Sequence, residues 1–180
     1  MNETQLIRAQ LTLEREHLNA VARGCAQAFQ GLSAAALTPG SPLQQLHQAA
    51  SEYLALVLGW YHARDARVLA GAAACGETDP RGRALRAILD REGASREGEA
   101  KLAACTDPAA WQALAAFLEG PWSARREALE RLLERDTSAS EWRRISGIDA
   151  DGILAERARF ARIAALIPSG AGTSPPAPPA

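Results

Sequence analysis

Five side chains of this 180-residue chain have the types and spacing to do chemistry: Glu14, His17, Tyr61, His62 and Asp65. Glu14 and His17 are three apart, one turn along the same side of a helix, and Tyr61 and Asp65 share a face at a spacing of four. Carboxylate, neutral imidazole and phenolate oxygen form a mixed donor set that suits iron, manganese or zinc, and metal centres in helical bundles are assembled from such residues on facing helices. A structural reading competes with this one. Glu14 would pair with Arg64 or another arginine such as Arg125, Tyr61 would bury its ring and hydrogen-bond a carbonyl, and His17 and His62 would keep their tips in water.

The elements that must position these residues are helices. From Leu43 to Ala73, the residues Leu43, His47, Ala50, Leu54, Val57, Tyr61, Asp65, Val68 and Ala72 recur at steps of three and four and mark one face of a long helix. A first helix is expected after Asn2, running to about Leu32, with the stripe Ile7, Leu11, Glu14, Leu18, Ala22, Cys25, Phe29 and Leu32. Thr38-Pro39-Gly40-Ser41-Pro42 separates the two, with Ser41 as cap and Pro42 at the first helical position. Counted from that turn, residues 14 to 17 lie about 24 residues before it and residues 61 to 65 about 23 after it, so at ~1.5 Å per residue they stand level in an antiparallel pair. His47 lies nearer the turn and reads as a core or boundary histidine.

Further along, Asp79-Pro80 is a cap-and-proline start, followed by Ala84, Leu85, Ile88 and Leu89. Gly93 and Gly98 predict a kink or break before Lys101 and Leu102. Asp107-Pro108 opens another helix through Trp111, Leu114, Phe117 and Leu118, and Gly120-Pro121 marks either a kink or a boundary before Trp122, Arg125, Leu129, Leu132 and Leu133. Ser138 and Glu141 form a capping box ahead of Trp142 and Ile145. The run Ile153, Glu156, Arg157, Phe160, Ile163, Ala164 and Ile167 marks a last amphipathic helix, capped by Asp149 or Asp151, and the tail PSGAGTSPPAPPA is expected to be disordered. The expected organisation is therefore a helical bundle over 1–147, a C-terminal helix packed on it over 148–167, and the Pro-rich tail 168–180.

Composition narrows the function. Net charge is −1, with arginine and glutamate mixed along the helices, so no basic footprint for nucleic acid exists. No segment approaches the ~20 apolar residues of a membrane span. No signal-like leader opens the chain, and three cysteines without a Cys-x-x-Cys spacing point to a reducing, cytoplasmic setting. Nucleotide-binding loops, a nucleophile elbow and His-Glu-x-x-His are all missing from the sequence, so the common enzyme mechanisms lack a motif. The tryptophans Trp60, Trp111, Trp122 and Trp142 sit beside apolar residues and read as core or interface.

Glu16-His17 in the first helix, Tyr61-His62-Ala63-Arg64-Asp65 with Val68-Leu69 in the second, and ALERLLERDTSASEWRRI later in the chain resemble the hemerythrin-like (HHE cation-binding) bundle family. The resemblance covers roughly residues 3 to 145 and implies an up-down four-helix bundle, here with an extra C-terminal helix. It also implies a metal centre, but the family's di-iron members use about five histidines and two carboxylates, and this chain has three histidines in all. Tyr61 stands where a ligand histidine is expected and Asp65 where the bridging carboxylate is expected. A partial site from Glu14, His17, Tyr61, His62 and Asp65 is what the resemblance leaves room for.

Two functions follow as expectations. One is a non-enzymatic protein that binds a metal or small ligand through the polar cluster between the first two helices. The other is a metal-free interaction or scaffold protein, docking a protein partner or its own copy through the helix from Ile153 to Ile167.

Overall fold

A computed structural model describes residues 3–74, 79–80, 82–88, 108, 110–134, 137–147 and 149–168. Every regular element among them is helical: α1 (Glu3–Ala28), a 3₁₀ turn (Ala34–Ala36), α2 (Pro42–Ala74), α3 (described over residues 82–88), α4 (Ala110–Phe117), a π turn (Leu118–Trp122), α5 (Ser123–Glu134), α6 (Ala139–Ser146) and α7 (Ala150–Leu166). No helix among the described residues is long and apolar enough to cross a membrane. The expected cap at Asn2, the glycine break at Gly93 and Gly98, the resumption at Lys101 and Leu102, the Asp107 cap and the tail after Pro168 lie outside the described residues.

Local chemistry sets most helix ends. Ser41 Oγ accepts from the Gln44 amide at 3.2 Å, with Pro42 in the first turn as expected. Asp79 accepts from the Gly82 amide at 2.6 Å, and Ser138 from the Glu141 amide at 3.2 Å. Of the two candidate caps for the last helix, Asp149 does the work, accepting from Gly152 N–H at 2.6 Å. Helix α1 stops at Ala28, four residues short of the expected Leu32. The chain turns there through Gly31 at φ +74°, with Leu32 N–H bonded to the Phe29 carbonyl at 3.0 Å, while Phe29 stays buried. Periodicity could not see this stop, because Phe29 continues the stripe after the helix has ended.

Gly120-Pro121 is not a boundary between two separate helices. The helix runs from Ala110 to Glu134 through one wide π turn. Pro121 has no N–H and its ring clashes with the carbonyl four residues back, so the turn opens; Ser123 N–H reaches the Leu118 carbonyl five residues back, and Ser123 Oγ donates to the same carbonyl at 2.7 Å. This keeps Leu118 and Trp122 both buried.

Helix α1 lies at the centre, in contact with α2, α4, α6 and α7; α2 also packs on α6 and α7. Two apolar clusters result. The larger gathers Leu18, Phe29, Tyr53, Leu54, Trp111, Trp122 and Ile163, and the smaller gathers Ile7, Leu11, Val68, Leu129, Trp142 and Ile145. Helix α7 closes the larger one: Ile167 packs over Gly24, where a Cβ would collide with Ile167 Cδ1. Cys25 belongs to the same core, and burial pushes its thiol well above the ordinary range, so it is inert.

Candidate functional site

Where the two apolar clusters meet, α1 and α2 place a layer of polar side chains. The antiparallel register is level, as counting from the turn predicts: Tyr61 Oη donates to the Leu11 carbonyl at 3.2 Å, and Arg64 Nη1 donates to Glu14 Oε2 at 2.7 Å. Glu14 and Arg64 are only 1% and 6% exposed, so the pair is withdrawn from water and each charge depends on the other. Arg64 Nε also bonds the Ser146 carbonyl at 2.8 Å, which ties the end of α6 into the layer.

The five residues expected to form one cluster separate into distinct contacts. Asp65, fully buried, takes a two-pronged ion pair from Arg126 on α5 at 2.6 and 2.7 Å. His17 Nδ1 lies 3.0 Å from Glu156 Oε1 on α7, and its ring stacks on Phe160 at a centroid distance of 3.8 Å. Tyr61 packs edge-on against Trp122, with the Arg64 and Arg126 guanidiniums over its ring at 5.0 and 5.1 Å. Burial, and then the Glu14 carboxylate, hold its phenol above the usual range, so it stays protonated. His62 is half-buried on α2, next in sequence to Tyr61.

As arranged, this donor set does not fit a metal ion. Both acids face arginines at ion-pair distance, the phenol is protonated and directed at a carbonyl, and His17 Nδ1 is engaged by Glu156. No group of three His, Cys, Asp or Glu side chains among the described residues has the arrangement to hold a metal.

Three residues outside the expected cluster matter as much as those within it. Arg126, rather than its neighbour Arg125, reaches Asp65; Arg125 Nε bonds the Pro121 carbonyl at 3.2 Å and lies over Phe117. Glu156 is fully buried and accepts from Tyr53 Oη at 2.5 Å as well as from His17, both on Oε1. Its Oε2 has no hydrogen-bond partner among the described residues. Burial, and then the Glu156 charge, keep the Tyr53 phenol protonated far above its ordinary range. A sequence signal for Glu156 existed: an acid on the stripe Ile153, Glu156, Phe160, Ile163, Ile167 had to find donors. Tyr53 sits beside Leu54 of the α2 stripe and carried no such signal.

Part of the polar layer lines a cleft. The cleft, of about 220 Å³, opens between α2, which contributes Trp60, Ala63, Arg64 and Arg67, and the α6–α7 junction, with Glu14 of α1 at its inner side. Ser146, Gly147, Asp149, Gly152 and Ile153 line the opposite wall. Gly147 ends α6 at φ +56°, a left-handed conformation that favours glycine, and a Cβ there would displace the Arg67 guanidinium packed over it. No family model, curated protein or solved structure matches the chain.

Proposed function

We propose that the chain is a non-enzymatic binding protein: an up-down helical bundle resembling hemerythrin-like proteins, with a polar layer neutralised by arginine in place of metal and a small ligand held in the cleft beside that layer. The observation that carries this reading is the Arg64 side chain. It is nearly buried, joins Glu14 to the α6 terminus, and lines a cleft of about 220 Å³ between α2 and the α6–α7 junction. The lining of that cleft combines the apolar Trp60, Ala63 and Ile153 with fixed polar groups, and such convergent polar groups are what orient a small ligand.

The scaffold alternative draws less support. Its docking helix, α7, commits Glu156, Ile163 and Ile167 to the interior, and Leu154, 65% exposed, is its one large fully exposed apolar side chain among the described residues.

A fragment screen on the full chain, followed through backbone amide shifts, tests the reading. Shifts should concentrate around Trp60, Ser146 and Ile153; hits that leave those amides unmoved would sink it. Metal analysis of the purified chain gives a second arm. Iron, manganese and zinc should be substoichiometric and indifferent to His17→Ala or Asp65→Ala, whereas stoichiometric metal lost in either variant would return the layer to metal binding.

A further inference from the structure

We propose that the cleft takes a small monoanionic carboxylate carried on a single apolar ring; this rests on the small-ligand reading above and names the ligand's chemistry. Arg64 and Arg67 are three apart on α2, one turn along the same wall. Arg64 commits Nη1 to Glu14 and Nε to the Ser146 carbonyl, so Nη2 has no acceptor among the described residues. Arg67 commits Nη1 to the Ile145 carbonyl at 3.1 Å, and no carboxylate among the described residues lies within ion-pair distance of it. Glu14 cancels the Arg64 charge, which leaves Arg67 as the cation the cleft offers. A carboxylate accepts charge-assisted hydrogen bonds from such guanidiniums, and they strengthen where the donors are shielded from water.

Size and rim charge narrow the class. A volume of about 220 Å³ exceeds the ~150 Å³ cavity known to admit benzene, so one ring and a carboxylate fit. Trp60 of α2 and Ile153 of α7 supply apolar lining for that ring. Asp149 stands exposed at the rim with Oδ1 tied to Gly152 N–H. A single fixed negative charge at the mouth penalises a dianion such as phosphate more than a monoanion.

Calorimetry on the full chain with benzoate, benzamide, benzylamine and inorganic phosphate, with amide shifts read in parallel, tests the proposal. Benzoate should bind at least about tenfold more tightly than benzamide, the ratio expected from losing one hydrogen bond to a charged group. Arg67→Gln should weaken benzoate by about tenfold while leaving benzamide binding unchanged. Asp149→Asn should tighten it about threefold, since asparagine caps α7 as well as aspartate and only the rim charge is removed. Benzamide or benzylamine binding beside Trp60 as tightly as benzoate would overturn the carboxylate assignment and leave the small-ligand reading standing. Phosphate binding more tightly than benzoate would overturn the monoanion. If no member of the panel moves the amides around Trp60, both readings fail.

Discussion

Asp65 and Glu156 are both fully buried carboxylates, yet they are accommodated in opposite ways. Asp65 receives two guanidinium nitrogens, one on each oxygen, and forms a closed charge pair between α2 and α5. Glu156 receives a phenol and an imidazole nitrogen on one oxygen, while the other has no hydrogen-bond partner among the described residues, and it joins α7 to α1 and α2. The first arrangement is intolerant: neither partner can leave without stranding a full charge in a low-dielectric interior. The second spreads its compensation over two donors, so each is separately removable. Helix α7 is therefore held to the core by hydrogen bonds and apolar packing, whereas α5 is locked by an ion pair.

The comparison breaks most severely at Arg126. Arg126→Ala should cost about 3–5 kcal/mol in urea unfolding by removing the guanidinium that faces both oxygens of the buried Asp65 carboxylate. Replacing both partners together, Asp65→Leu with Arg126→Met, should recover most of that loss; a double variant as unstable as the single one would mean that Arg126 acts through packing on Tyr61 and Trp122 rather than through charge. Next in size, Tyr53→Phe removes one of the two donors to Glu156 and should cost about 1.5–3 kcal/mol, with the loss of hydrogen-exchange protection concentrated in α7. Uniform loss across α1, α2 and α7 would remove the distinction drawn here between the two acids.

The smallest effect belongs to a histidine that lies in neither polar region. His47 packs against Phe29 and Trp111 with ring centroids 5.7 and 5.9 Å away, and its Nε2 is buried without a hydrogen-bond partner among the described residues. Burial lowers its pKa below the ordinary 6.5. The unfolded chain therefore binds this proton first as pH falls, so the stability that neutral His47 contributes is complete above about pH 6.5 and is lost progressively below it. His47→Phe should flatten the melting temperature between pH 6.5 and 5; an unchanged slope there would show that another group governs the acid limb.

Much of this architecture is legible in local sequence. Helical periodicity placed α1, α2, α5 and α7, and the caps at Ser41, Asp79, Ser138 and Asp149 lie where side-chain oxygens meet the free amides of a first turn. Counting along an antiparallel pair sufficed to bring residue 14 level with residue 64. These features depend on contacts a few residues apart, or on rise per residue, and a sequence carries both.

The partners of the polar layer were decided only in three dimensions. Arg125 and Arg126 stand about 60° to one side and 40° to the other of the Trp122 direction, so periodicity admits either as the inward residue. The position of Asp65 on a neighbouring helix selects Arg126. The stripes likewise mark Glu14 and Asp65 as inward-facing polar groups in need of compensation, whereas the sequence leaves His17 open between a ligand and a flank histidine with its tip in water, and the fold buries it against Glu156. The Glu14–Arg64 pair is one the sequence offers; that Arg126 meets Asp65, that Glu156 meets the histidine, and that a cleft opens at Arg64 and Arg67 depend on how α5, α6 and α7 return to the first two helices, because charge compensation at a distance has no fixed spacing along the chain.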